Sequence, residues 1–200
     1  MKNDIGLILS IKKFEEKKIL LKILSQKYGI INGIARKKSL KDITLNIGNL
    51  IHFNWFGREN NLGILSCELK KSYATLFLID KMHSEMMIIL FNLLNSLFHN
   101  NMMINHNFID TIIFYMDKII NINFSQIDHI EYFFELENII LNYSGHFDNN
   151  IFAFDNNIAE RIKNNEYKLT FLYNNILNIK IPDYITKYRN NLLNILISCS

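Results

Sequence analysis

Proline is almost missing from this chain: Pro182 is the single one in 200 residues. Alongside an abundance of Ile, Asn and Lys, that scarcity reads as AT-rich coding bias laid over an ordinary globular protein, and it weakens propensity arguments from Ile and Asn. Cysteine is scarce too. Cys67 and Cys199 are too few for a four-cysteine zinc site and neither sits in a Cys-x-x-Cys spacing, so a reduced, intracellular chain is expected. Glycines never form a phosphate loop followed by Lys-Ser or Lys-Thr, nor a Gly-x-Gly-x-x-Gly after a strand; nucleotide hydrolysis and dinucleotide binding have no support. Long apolar runs are missing as well. The longest, Met86 to Phe98, is interrupted by Asn92, Asn95 and Ser96 and falls short of the roughly 20 residues that span a bilayer. The opening MKNDIGLILSIKKFEEKK has no long apolar region before a small-residue cleavage site, so no signal peptide is read and a cytoplasmic location is expected.

What is present is enough apolar material for a core, 49% of residues, and an uneven distribution of charge. Residues 1–81 hold 15 Lys or Arg against 7 Asp or Glu, a net of +8; residues 82–200 hold 7 against 12, a net of −5, which together give the overall +3. A basic half is the footprint of a surface that meets phosphate, and an acidic half is repelled from it.

The hydrophobic period changes at the same place. Asp4 to Ile11 and Ile19 to Ser25 alternate as strands, and Gly29 to Ala35, Asn49 to Phe56 and Leu62 to Leu69 follow as three more, separated by turn-rich connections. Gly33 within the third implies a bulge or sharp bend. Five short strands in about 70 residues, with a basic loop from Arg36 to Asp42 between the third and fourth, predict an OB-like barrel. From Ser72 the period is near 3.6. One stripe runs through Leu76, Ile79, Met82, Met86 and on to Leu97, a second helix is expected from Phe108 to Ile120, and a third from Ser125, a candidate N-cap with Asp128 three residues on, to Tyr143, stopped by Gly145. Ile158 to Asn164, Leu169 to Leu177 and Tyr184 to Ile197 read as shorter helices around an irregular Phe147 to Asn157. The fold expected is two-part α+β: a five-stranded OB-like β-barrel over residues 1–72 and an all-α domain over residues 73–200.

Catalytic equipment is thin. His52, His83, His99, His106, His129 and His146 never fall at metal-binding spacing with a second ligand, and His99 and His106 read as polar helix-end residues. Glu131, Glu135 and Glu137 cluster on the third helix, Glu131 and Glu135 on one face, but no base or pocket residue accompanies them. No catalytic residue, metal ligand or cofactor is expected. Binding chemistry remains: Arg36, Lys37, Lys38 and Lys41 in one loop, Arg58 in another, and Lys70 and Lys71 at the exit of the last strand can neutralise phosphates. Trp55 shares a face with Ile51 and Phe53 and reads as core, whereas His52 and Phe56 lie opposite and can contact bases.

The order of these features resembles the bacterial recombination-mediator family RecO. An opening strand DIGLILSIKKFEEK is followed by ILLKILSQKYGIINGIARKKS, with Ser25, Gly29, Gly33 and Arg36 at family-like places, and by GNLIHFNWFGRENNLGILSCELKKSYA, with Gly48-Asn49, Trp55, Arg58, Leu62-Gly63 and Glu68-Leu69. Further on, YFFELENIILNYSGHF is similar to a family helix through Tyr132, Phe134-Glu135-Leu136, Ile140-Leu141 and Gly145. The resemblance implies an N-terminal OB domain with a helical domain after it. It also implies a non-catalytic role in DNA repair and recombination: binding single- and double-stranded DNA, annealing strands, and joining RecR to load RecA onto DNA coated by single-strand-binding protein, at the nucleoid. The zinc-binding cysteines of some members are absent here, and the Gly-rich basic loop is reduced to Arg36-Lys37-Lys38. Alternative readings are an OB-fold RNA-binding or ribosome-associated module, and a protein-interaction scaffold built on the acidic half.

Overall fold

The computed structural model describes residues 1–36, 44–58, 62–98, 106–121, 123–143, 158–178 and 180–199. They group into two compact units, Met1–Leu78 with Phe98–Ile113, and Ile79–Leu97 with Phe114–Ser200.

In the first unit, β1 (Lys2–Glu15), β2 (Lys18–Ser25), β3 (Gly29–Arg36), β4 (Asn49–Phe56) and β5 (Gly63–Ser72) close into a barrel in the order β1-β2-β3-β5-β4. β3 and β5 pair in parallel and the other four pairs are antiparallel. This is the OB-like barrel that the strand spacing predicts. Alternation sends Leu21, Ile23, Ile51, Phe53, Trp55 and Leu65 into one interior cluster. The Trp55 indole satisfies its single donor at the wall, where Nε1 donates to the Asn32 carbonyl at 3.0 Å.

β1 departs from simple alternation. Ile8 enters the barrel core with Ile11 packed against it, because the register slips between Ile8 and Ser10 and Leu9 is the extra residue. Leu7 and Leu9 are nonetheless fully buried, as is Leu24, and Leu50 is nearly so, all outside that cluster. The same unit takes in Phe98–Ile113, including buried Phe108, Ile109 and Ile112, and Asp110 accepts a hydrogen bond from Gln26 at the end of β2, 2.9 Å. The strand is therefore apolar on both faces, which a period-two reading with one buried face cannot anticipate.

Gly33 carries no bulge. It pairs regularly with Leu21 and stands opposite Gly63 across the β3–β5 closure. A Cβ at Gly33 would lie 2.7 Å from Leu65 Cγ, and one at Gly63 would run into the Trp55 indole. The two glycines let β5 approach while the indole lies across it. Gly63→Val should thus lower barrel stability by about 1–3 kcal/mol through overpacking. Trp55, the single tryptophan, reports it directly: a urea transition followed by its fluorescence should shift to lower midpoint, and an unmoved midpoint would sink the packing argument.

Beyond β5 the described elements are helical, and residues 76–78 and 106–113 among them belong to the first unit. The long stripe expected from Leu76 onward is two helices, α1 (Leu76–Ile79) and α2 (Lys81–Leu97), because Asp80 interrupts it: its Oδ1 accepts the His83 amide at 2.8 Å as an N-cap, and Leu78 and Ile79 are left exposed. α3 (His106–Ile119) and α4 (Gln126–Tyr143) follow. At the start of α4 the Asp128 amide donates to Ser125 Oγ at 3.2 Å and the Ser125 amide to Asp128 Oδ2 at 2.8 Å, the reciprocal capping foreseen in the sequence. The side-chain and backbone hydrogen bonds from Ser125 hold the Asp128 carboxyl below its ordinary pKa. The stop at Gly145 and the segment Phe147 to Asn157 lie outside the described residues.

The two short helices read at 158–164 and 169–177 are continuous: α5 (Ile158–Phe171) passes into a single π-turn, Leu172–Ile176, ahead of α6 (Asp183–Cys199). Two polar residues between those stretches, Asn165 and Lys168, are buried and partnered. Asn165 donates to the Phe134 carbonyl at 2.9 Å and to Glu137 Oε2 at 3.0 Å, and Lys168 Nζ donates to Asn138 and Asn142 at 2.8 and 2.7 Å. Glu137 is ion-paired with Arg189 of α6, whose guanidinium also lies over the Phe134 ring, 5.2 Å from its centroid. The three glutamates of α4 are therefore not one cluster: Glu131 is exposed while Glu137 is fully buried.

Burial lowers the Lys168 pKa from 10.5. Between that depressed value and 10.5 the unfolded chain binds more protons, so this residue makes the helical unit more stable as pH rises through the window. Lys168→Met should abolish that alkaline gain, checked by comparing melting temperatures across the alkaline range; an equal gain in the variant would refute it.

Candidate nucleic-acid interface

Where Leu21, Ala35, Leu65 and Trp55 point inward, the residues beside them point out, and strand register lines them up. Lys12 pairs with Leu20, Leu20 with Ile34, Ile34 with Ile64 and Ile64 with Phe56, so one outward row crosses all five strands. At roughly 4.8 Å per strand its four steps cover about 19 Å of wall. Leu20 and Ile34 are half-buried, Phe56 is 47% and Ile64 68% exposed. Cationic positions flank the row on both sides. Lys18 pairs with Arg36 on one side, and on the other Lys22 stands between Ser10 and Asn32.

Lys22 and Lys12 are close enough to repel. Half-burial first, and then the Lys12 charge, lower the Lys22 pKa from 10.5. A phosphate placed between them would relieve that repulsion. An apolar strip with lysine and arginine along both margins matches the chemistry of a single strand, whose bases stack on apolar and aromatic surface while its backbone meets cations.

The residues expected from the sequence fall into separate places. Arg36 and Phe56 belong to this face, and exposed Arg58 follows Phe56 in the β4–β5 connection. Lys37, Lys38 and Lys41 lie outside the described residues. Lys70 is the extra residue of a bulge in β5, between the pairs Ile51–Leu69 and Leu50–Lys71, and Lys71 Nζ lies 5.1 Å from the Tyr73 ring centroid. Both are six or seven residues along β5 from Ile64, about 20 Å at strand rise. His52 stands opposite Glu68 and its Nε2 is 3.1 Å from Asn3 Oδ1, an environment less suited to phosphate than the Lys18–Arg36 margin. At the opposite end of β1, Lys2 Nζ lies over the rings of Tyr28 and Trp55, at 5.0 and 5.3 Å.

Sequence reasoning missed Lys12, Lys18, Lys22, Ile34 and Ile64. The signal was half visible: Lys18, Leu20 and Lys22 alternate along the outer face of β2, but which residues they meet across β3 and β5 is a matter of register. Among the described residues, no group of three or more His, Cys, Asp or Glu could hold a metal ion, and no helix is long and apolar enough to cross a membrane.

Residues 1–73 match the family model described as "Recombination protein O N terminal", a match that ends one residue past β5. The barrel belongs to the RecO N-terminal family. The relationship to RecO extends further along the chain. DNA repair protein RecO of Rickettsia bellii is 30% identical over 131 residues, which is 64% of this chain and 54% of that protein. The protein of the same name from Orientia tsutsugamushi is 36% identical over 81 residues, 39% of this chain and 34% of its own. An uncharacterized protein of Rickettsia prowazekii is 32% identical over 98 residues, 48% of this chain and 85% of its own. The chain spans about half the length of the R. bellii RecO that it matches.

Proposed function

We propose that this chain acts in DNA repair as a non-catalytic, DNA-binding recombination mediator: it binds single- and double-stranded DNA, anneals strands, and with RecR helps load RecA onto DNA coated by single-strand-binding protein. The observation that carries the reading is the outer row from Lys12 to Phe56 with Lys18, Lys22 and Arg36 on its margins. Kinship with proteins named DNA repair protein RecO supports the choice of DNA and of repair. On this reading the loop cations Lys37, Lys38 and Lys41, and Arg58 in the β4–β5 connection, extend the phosphate contacts, with Lys70, Lys71, His52 and Phe56 as further contacts. The work is divided near residue 72, the barrel gripping DNA and the helical part docking partners, in the cytoplasm at the nucleoid.

A strand-annealing assay on complementary DNA precoated with single-strand-binding protein tests the mediator role. Faster annealing than with coated DNA alone is the expected result, and no acceleration at saturating protein would sink it. Competition between DNA and RNA oligonucleotides of one sequence tests the choice of nucleic acid. A strong RNA preference would favour an RNA-binding or ribosome-associated module instead.

A further inference from the structure

Phe14 is the extra residue of a second bulge in β1: Lys13 pairs with Ile19 and Glu15 with Lys18, and no residue stands opposite Phe14. A bulge turns a side chain away from the regular pleat and is found where a strand re-aims a group. Phe14 is 48% exposed. Single exposed apolar side chains are common on protein surfaces, so exposure alone carries nothing. Its neighbourhood does. Lys12, Lys13, Lys17 and Lys18 are all exposed within four residues of it and outnumber the two nearby acids, Glu16 and Glu15, the latter engaged by Lys18 at 2.8 Å, and Arg36 pairs with Lys18 one strand further on. An aromatic ring in a cationic collar repels basic partners and suits a polyanion, and the part of a nucleic acid that packs on a ring is the face of a base.

We propose that Phe14 is a stacking platform for an unpaired base, set beside the β1 end of the face whose β4 end carries Phe56, so that its contribution favours single strands over duplex. This inference rests on the DNA-binding reading above. Bases inside a duplex already stack on one another and offer the ring nothing, so the contribution of Phe14 is confined to unpaired strands. Backbone contacts from the surrounding lysines serve both forms alike.

The test is equilibrium binding of the full chain, with Phe14→Ala, Phe14→Leu and Phe14→Trp beside the unsubstituted protein, to three probes of one length at one salt concentration: an oligo-dT strand, an abasic strand and a blunt duplex. Phe14→Ala and Phe14→Leu should weaken oligo-dT binding by about 5- to 150-fold, the range that stacking of one base supplies, and leave the abasic and duplex affinities and the salt slope unchanged. Phe14→Trp should keep oligo-dT affinity and show fluorescence quenched by oligo-dT but not by the abasic strand. Phe14→Leu retains apolar bulk without the ring, so a normal oligo-dT affinity in that variant overturns stacking. Equal losses on all three probes overturn it too, since they mark a merely structural residue. If the unsubstituted protein binds none of the probes, the DNA-binding reading itself falls, and if it binds all three while Phe14→Ala binds them equally well, only the role of Phe14 falls.

Discussion

Replacing Lys18, Lys22 and Arg36 together by alanine should lower single-stranded DNA affinity by about 100-fold at 0.1 M salt. Each phosphate neutralised on a single strand contributes about 0.7 to the log-log salt slope, so three contacts contribute about 2; an electrostatic term that vanishes toward 1 M is then worth about two decades at 0.1 M. The slope should flatten by the same amount of about 2, which separates lost phosphate contacts from lost stacking. Unfolding is not the expected route to this loss. All three side chains lie on the outer wall at exposed or half-buried positions, and removing Lys22 relieves its repulsion with Lys12. The linkage has a definite sign. Burial and Lys12 hold the Lys22 pKa below 10.5, so the barrel gains stability as pH rises from that depressed value toward 10.5, while DNA binding, which uses the proton, weakens over the same range. An unchanged slope in the triple variant, or binding that strengthens on alkalinisation, would remove this face from consideration.

Glu137→Ala should destabilise the helical unit by about 3–5 kcal/mol, the typical consequence of leaving one member of a buried ion pair without the other. Glu137 is fully buried and Arg189 nearly so, and loss of the carboxylate leaves the guanidinium facing the Phe134 ring with its main acceptor gone. Asn165 also loses its acceptor at Glu137 Oε2, keeping only the Phe134 carbonyl. Glu137→Met with Arg189→Met should cost much less, because removing both charges also removes the desolvation of both. Urea unfolding followed by far-UV circular dichroism measures the pair in a double-mutant cycle. Additive single and double effects would mean that the two charges are not coupled.

The resemblance to RecO was carried by the order of local features: Gly29, Gly33, Gly48, Trp55, Arg58 and Gly63 sit at turns, strand interiors and strand starts, and that order is legible along the chain without the fold. Trp55 could be placed in the core because it shares a pleat with Ile51 and Phe53. Gly33 shows where that local logic ends. Its smallness answers to Leu65 and Gly63, which come roughly thirty residues later in the chain, and no window around Gly33 contains them.

Strand and helix periods, the charge switch between the two halves, the Ser125–Asp128 cap and the inward faces of β2 to β5 were determined by the sequence itself, since each depends on residues within a few positions of one another. Only the tertiary structure decided which outward residues share a face, because register sets that: the step from Leu20 to Ile34 to Ile64 to Phe56 joins residues far apart in the chain. It likewise decided that Glu137, one of three similar glutamates on α4, is buried. Helical periodicity separates it from Glu131, but only the arrival of Asn165 from α5 and Arg189 from α6 supplies the hydrogen bonds and opposite charge without which a carboxylate stays in water.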